Sequence, residues 1–219
     1  MNIEKALGLT EMAIIDNSKL YDLRSYLQNA LSEQIAKQKG GQTEKNRLTT
    51  AKKYIQNCIK KYEYRKNMHG VWYDDNYNYQ YLTDSHSAFK LYSHIQGLPE
   101  LDKEIEKLKI EEIFKGFDKH SLAELPSITD LKLQCKLAKA ELKALNKKYK
   151  LMADVEHGLI QVGNSYYDVE RIITVLDILG HDNIQVYVDN NSELSILYFK
   201  GNKGEAILCA VKKPNNYEN

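Results

Sequence analysis

The sequence predicts an α+β fold in which two helices pack against an antiparallel sheet, with an N-terminal helix ahead of them and a helical hairpin inserted between strands. Three observations carry that expectation. Residues 159–213 read as a strand, one short helix and three more strands, each bounded by turn residues. A second amphipathic helix precedes an aromatic-rich hairpin between Thr43 and Tyr92. Residues 101–150 are charge-rich and carry apolar residues at helical spacing.

Met1 to Asp16 is weakly patterned. Leu20, Leu23, Leu27, Leu31 and Ile35 then line one face of a helix from Ser18 to Lys39, which Gly40-Gly41 stops. Thr43 is suited to cap a second helix running to about Tyr64, with Leu48, Ala51, Ile55, Ile59 and Tyr62 as its apolar stripe. Its opposite face carries Lys45, Lys52, Lys53, Gln56 and Lys60, and Lys61, Arg65 and Lys66 stand at its end. Such a face is either solvated or tracks phosphates. Gly70 to Asp74 and Tyr77 to Tyr92 predict a hairpin about Asp75-Asn76. Its Trp72, Tyr73, Tyr77, Tyr79 and Tyr81 are expected to pair across strands rather than stack on bases, because Asp74, Asp75 and Asp84 outnumber the local Lys90.

Gly97-Leu98-Pro99 marks a boundary, and Leu101 to Lys150 is expected as two helices broken near His120 to Ser127. In the second helix Leu131, Cys135, Ala138, Leu142, Leu145 and Tyr149 alternate steps of four and three, the a/d seam of about three heptads. Three partners are open for this seam: residues 101–117, the Ser18 helix, or another subunit, which would make a homo-oligomer. Further on, Val169, Ile172, Ile173, Leu176 and Leu179 form one helix face, with Ser165 as N-cap, Asp168 in the first turn and Gly180 closing the helix. Ile184, Val186 and Val188 alternate as a half-buried strand. The turn clusters 189–192 and 201–204 set off strands at Leu194 to Phe199 and Ala206 to Val211, and Pro214 ends the sheet. The resulting organisation is a helical segment over 1–42, one α+β domain over 43–214 with a helical insertion at 98–150, and a tail over 215–219.

The 219 residues carry a net charge of +1, unevenly placed. Residues 1–68 hold thirteen Lys and Arg against seven Asp and Glu, whereas 151–219 hold five against ten. The N-terminal third is thus open to an acidic partner, whereas the C-terminal third alone could not hold nucleic acid by charge. With no apolar run near the roughly 20 residues of a membrane span and no signal-like start, no membrane contact and a cytoplasmic location are expected. Cys58, Cys135 and Cys209 are odd in number, far apart and in apolar settings, as buried thiols are.

Catalytic signatures are missing: the chain has no Gly-rich phosphate loop, Cys-x-x-Cys, Gly-x-Ser-x-Gly or His-Glu-x-x-His. Asp154 and Glu156 share one strand face and His157 the other, which splits a metal cluster. Asp84 and His86 have the makings of a base and its orienting carboxylate but lack a nucleophile or a second acid. A non-enzyme with no metal and no cofactor is expected.

Two stretches resemble the DNA sliding clamps, the bacterial polymerase processivity clamp in particular, in a shortened form associated with phages and mobile elements. Residues 79–89, with Thr83-Asp84-Ser85-His86-Ser87 at their centre, resemble the clamp segment in which one strand turns through Thr-Asp-Gly-His/Tyr-Arg into the next. Residues 164–211 resemble the last helix and closing strands of a clamp domain. Ser85 replaces the turn glycine and Ser87 the arginine. The resemblance implies a clamp-like sheet, binding to DNA or to a replication enzyme, and helices that turn cations toward DNA. The cations so placed here are Lys52, Lys53, Lys60, Lys61, Arg65 and Lys66, whereas the Ser165 helix turns out Glu170, Arg171, Thr174 and Asp177. The alternative is an inhibitor of a host enzyme, of host-takeover or nuclease-inhibitor type, that meets its target through the heptad helix or the acidic C-terminal sheet.

Overall fold

The structure, a computed structural model, describes residues 43–117, 120–149, 158–190 and 194–212. The chain divides into two compact units, Met1–Lys45 and Asn46–Asn219. Of the first, only 43–45 are among the described residues, so the expected Ser18 helix lies outside them, as do the 215–219 tail and Pro214.

Among the described residues the elements run α1 (43–61, all but its first three residues in the second unit), β1 (Trp72–Tyr73), β2 (Gln80–Thr83), β3 (Ser87–Leu91), β4 (Ser121–Ala123), α2 (Ile128–Tyr149), β5 (Leu159–Val162), β6 (Ser165–Asp168), α3 (Val169–Leu179), β7 (Gln185–Val188), β8 (Ile196–Gly201) and β9 (Gly204–Cys209). Seven strands form one antiparallel sheet in the order β1-β2-β3-β9-β8-β7-β4. The other two, β5 and β6, make a separate hairpin. The α+β class expected from the sequence is therefore present. So is the union of its two separated parts, because β3 pairs with β9 from Ser87↔Leu208 to Leu91↔Gly204. That close pairing explains Gly204: a Cβ there would lie 2.5 Å from the Lys90 carbonyl and 2.9 Å from the Leu91 Cα.

Strand alternation sends two sets of side chains to opposite faces of the sheet. Leu82, Phe89, Leu91, Val186, Val188, Leu197, Phe199, Ala206 and Leu208 go to the inner face, where α1 contributes Ala51, Tyr54, Ile55 and Cys58 and α3 contributes Val169, Ile172, Val175, Leu176 and Leu179. Burying each of the fully covered aliphatic side chains stabilises the fold by about 2 kcal/mol before ordering costs. Both helices thus lie on the same side of one sheet. Arg47, wholly buried, joins them to the rim: its Nε donates to the Ile178 carbonyl at the end of α3 (2.7 Å) and its Nη2 to the Ser93 carbonyl (3.0 Å).

The outer face differs from expectation. Residues 101–117 are not a helix; they run irregularly through one 3-10 turn, Glu111–Phe114, and lay Ile110, Phe114 and Phe117 over Trp72, Tyr81, Tyr198 and Ile207. Phe117 stacks on Tyr198 at 4.3 Å. The cause is the sheet: both of its faces are apolar, and an extended segment covers a broad aromatic surface that a single narrow helical stripe would leave partly wet. Residues 121–123 then become the edge strand β4, so of the expected helical hairpin only α2 is helical.

Other boundaries moved for local reasons. The expected second arm of the Tyr77–Tyr92 hairpin is itself folded into β2 and β3 by a turn at 84–86. Ser165 does not cap a helix. Gly163, at φ 59°, turns the chain so that Ser165–Asp168 pairs back on β5, and Asp168 is the N-cap, accepting from the Arg171 N–H at 2.9 Å. Gly180 closes α3 in the left-handed region at φ 92°, as expected. Trp72 and Tyr81, opposite each other in β1 and β2, stack with centroids 6.0 Å apart, the cross-strand pairing predicted for this hairpin.

Candidate nucleic-acid interface

The sequence of α1 divides its surface by residue type. Positions 47, 51, 54, 55 and 58 are buried, while Lys52, Lys53, Gln56, Asn57, Lys60 and Lys61 are exposed. From Asn46 to Tyr62 the chain contains no acidic residue. The four lysines therefore have no acidic residue among them along the helix; its one carboxylate, Glu44, lies two turns ahead of Lys52. Eight residues separate Lys52 from Lys60, about 12 Å of helix, over which one strand of duplex DNA presents roughly three or four phosphates. Arg65 and Lys66, also exposed, extend the patch past the helix end. All six cations singled out in the sequence are thus exposed, with Glu63 as the one acidic residue between the first and the last of them.

The end of α1 is well anchored. The Tyr62 carbonyl accepts from the Arg65 N–H (2.8 Å) and lies 2.9 Å from His69 Nε2, and a 3-10 turn, Lys66–Met68, follows with Met68 buried. Lys61 and Arg65 both lean on the Tyr62 ring, with charges 5.7 and 5.8 Å from its centroid.

The second helix expected to face a partner is placed otherwise. Helix α2 packs along α3, with Lys139 Nζ 2.8 Å from Glu170 Oε1 and Lys132 Nζ 3.6 Å from Asp177 Oδ1. Burial beside it leaves the polar side of α3 only partly exposed. Arg171, expected to point outward, instead turns to Asp84, with Nη1 2.9 Å from Oδ2. The seam of α2 does pack against a helix: its Leu131 and Cys135 are buried in the core beside α3, and Ala138 is half-buried. The partner of this part of the seam is thus α3, none of the three considered. The side chains of Leu142, Leu145 and Tyr149 lie outside the described residues.

Asp84 is a structural group by its bonding. Its Oδ1 accepts from the backbone N–H groups of His86 (3.0 Å) and Ser87 (2.8 Å) and from the Ser87 hydroxyl (2.9 Å). Burial pushes the carboxyl upward, but Arg171 and these hydrogen bonds outweigh it and hold Asp84 below the usual carboxylate range. Ser85 takes φ 71°, the left-handed geometry that explains why a glycine would suit this turn. Burial first, then the Asp84 charge, pushes the neighbouring Cys58 thiol up to about 12, the state of an inert core cysteine. Cys135 is buried and Cys209 half-buried, and all three are free thiols. Among the described residues no three His, Cys, Asp or Glu side chains gather as a metal site. Asp154, Glu156 and His157 lie outside those residues. No described helix is long and apolar enough to cross a membrane.

Two features escaped the sequence reading. Arg47, which the sequence pattern did not single out, is the largest fully buried side chain; its place beside Ala51 and Ile55, four and eight residues on, was the available signal. Tyr64, 96% exposed among Lys60, Lys61, Arg65 and Lys66, was passed over as a helix end. No family model, curated protein or solved structure matches the chain.

Proposed function

We propose that this chain is a non-catalytic binding protein of phage or mobile-element DNA metabolism, related in plan to a processivity clamp, that holds DNA through the exposed face of α1. The observation that carries this reading is the run of four exposed lysines, with no acidic residue from Asn46 to Tyr62, on a helix whose other side is fixed in the core. The inner-face position of α1 and α3 on one continuous sheet is the plan that the clamp resemblance implies. The likeness ends at α3, whose outward side α2 covers, so of the two helices on the inner face α1 is the one that offers cations to DNA. Contact through one helix needs no closed ring, and a replication enzyme sharing the DNA would meet the protein elsewhere.

Neutralising Lys52, Lys53, Lys60, Lys61, Arg65 and Lys66 together should abolish retention on DNA at low salt and flatten the dependence of affinity on salt, by up to about 0.9 in the log-log slope per lost phosphate contact. Unchanged retention would remove the reading. A second reading, an inhibitor of a host enzyme, is favoured by Leu133 and Leu137, which lie one turn apart on α2 at 55% and 56% exposure. In that case the protein ignores DNA and captures a protein partner, and Leu137→Glu loses the capture.

A further inference from the structure

We infer that the basic end of α1 takes single-stranded DNA, with the ring of Tyr64 as the platform on which an unpaired base stacks. This rests on the DNA-binding reading above and specifies which form of DNA the site receives. A stacking platform for single strands needs an aromatic face open to solvent, cations close enough to hold the flanking phosphates, and a backbone that does not have to be ordered on binding.

Tyr64 meets each condition. Its 96% exposure leaves the ring with no role in the core. Lys60, Lys61, Arg65 and Lys66, all exposed, lie within four residues on either side. The segment is held by the Arg65 N–H to the Tyr62 carbonyl (2.8 Å), the Met68 N–H to the Arg65 carbonyl (3.0 Å) and the His69 N–H to the Lys66 carbonyl (3.0 Å), with Met68 buried as its anchor. Lys61 and Arg65 lie over the ring of the neighbouring Tyr62, 5.7 and 5.8 Å from its centroid. Tyr64 has one acidic neighbour, the exposed Glu63, against Lys60, Lys61, Arg65 and Lys66, whereas the other strongly exposed tyrosine, Tyr77 at 71%, packs its ring on Tyr73 and has Asp74 and Asp75 close by with no cation within four residues in the chain. A duplex can use the cations of α1 but keeps its base faces inside its own stack, so the ring adds affinity only for an unpaired strand.

The test is fluorescence anisotropy of labelled oligo-dT and of a mixed-sequence duplex of equal length, at matched salt, with the full chain, Tyr64→Phe and Tyr64→Ala. Expected is a loss of about tenfold on oligo-dT for Tyr64→Ala, retention by Tyr64→Phe, unchanged duplex affinity and an unchanged salt slope, because no cation is removed. An unchanged thermal midpoint for Tyr64→Ala confirms that the fold is intact. Oligo-dT binding that is indifferent to Tyr64→Ala, or a loss equal on both DNAs, overturns the inference while leaving the DNA-binding reading in place. Failure of the unaltered chain to bind either DNA overturns both.

Discussion

Arg171 Nη1 lies 2.9 Å from Asp84 Oδ2, and this ion pair ties the first turn of α3 to the turn between β2 and β3. The two residues are 87 apart in the chain, yet each is mostly shielded from water. The pair therefore fixes how the second half of the fold sits on the first, at the point where the sheet changes from early to late strands. Removing one partner leaves the other charge partly buried, which costs more than the pair itself contributes. Asp84→Ala is expected to lower unfolding free energy by about 3 kcal/mol in urea denaturation, and Asp84→Ala with Arg171→Met to lose less than the sum of the single changes.

The same carboxylate sets an acid limit. A group whose folded-state pKa is depressed contributes stability above its unfolded value and loses it as pH falls through the folded one. Asp84 is depressed by Arg171 and its hydrogen bonds against the opposing effect of burial. Its contribution is therefore complete at neutral pH and fades on acidification below about pH 4, the ordinary carboxylate range. Stability measured from pH 7 downward should fall less steeply for Asp84→Asn than for the unaltered protein in that window, from a lower starting value.

The orientation of α2 can be read from two leucines two residues apart. Leu131 is wholly buried beside α3, whereas Leu133 is 55% exposed. Leu131→Ala is expected to cost about 3 kcal/mol and Leu133→Ala less than about 0.5 kcal/mol by chemical denaturation. Equal costs would mean that α2 turns another face to the core.

Periodicity made the helices and the late strands legible. The stripe from Val169 to Leu179 and its Gly180 stop, the stripe of α1 apart from the exposed Ile59, and the alternation of Ile184, Val186 and Val188 are local patterns that tertiary packing left in place. What packing decided was not legible. Residues 101–117 are rich in Lys and Glu, which favour helix, but the aromatic outer face of the sheet needed Ile110, Phe114 and Phe117 spread over it. Arg171 read as a surface charge, and the burial of Arg47 went unseen, because their partners, the Asp84 carboxylate and the Ile178 and Ser93 carbonyls, are distant in sequence. Of the candidate site, the cations were visible as a run of residue type. Their common exposure needed the fold, and so did the cover that α2 places on α3.

That cover supplies the sharpest comparison, because α2 carries lysines too, two of them engaged with Glu170 and Asp177. Two variants with equal loss of charge separate a local site from general basicity: Lys52, Lys53, Lys60 and Lys61 changed to Gln, and Lys132, Lys136, Lys139 and Lys143 changed to Gln. The measurement is the slope of log affinity for oligo-dT against log salt. A slope that flattens for the α1 variant alone is the expected result. An equal change in both variants, or none in either, would contradict a DNA site on α1.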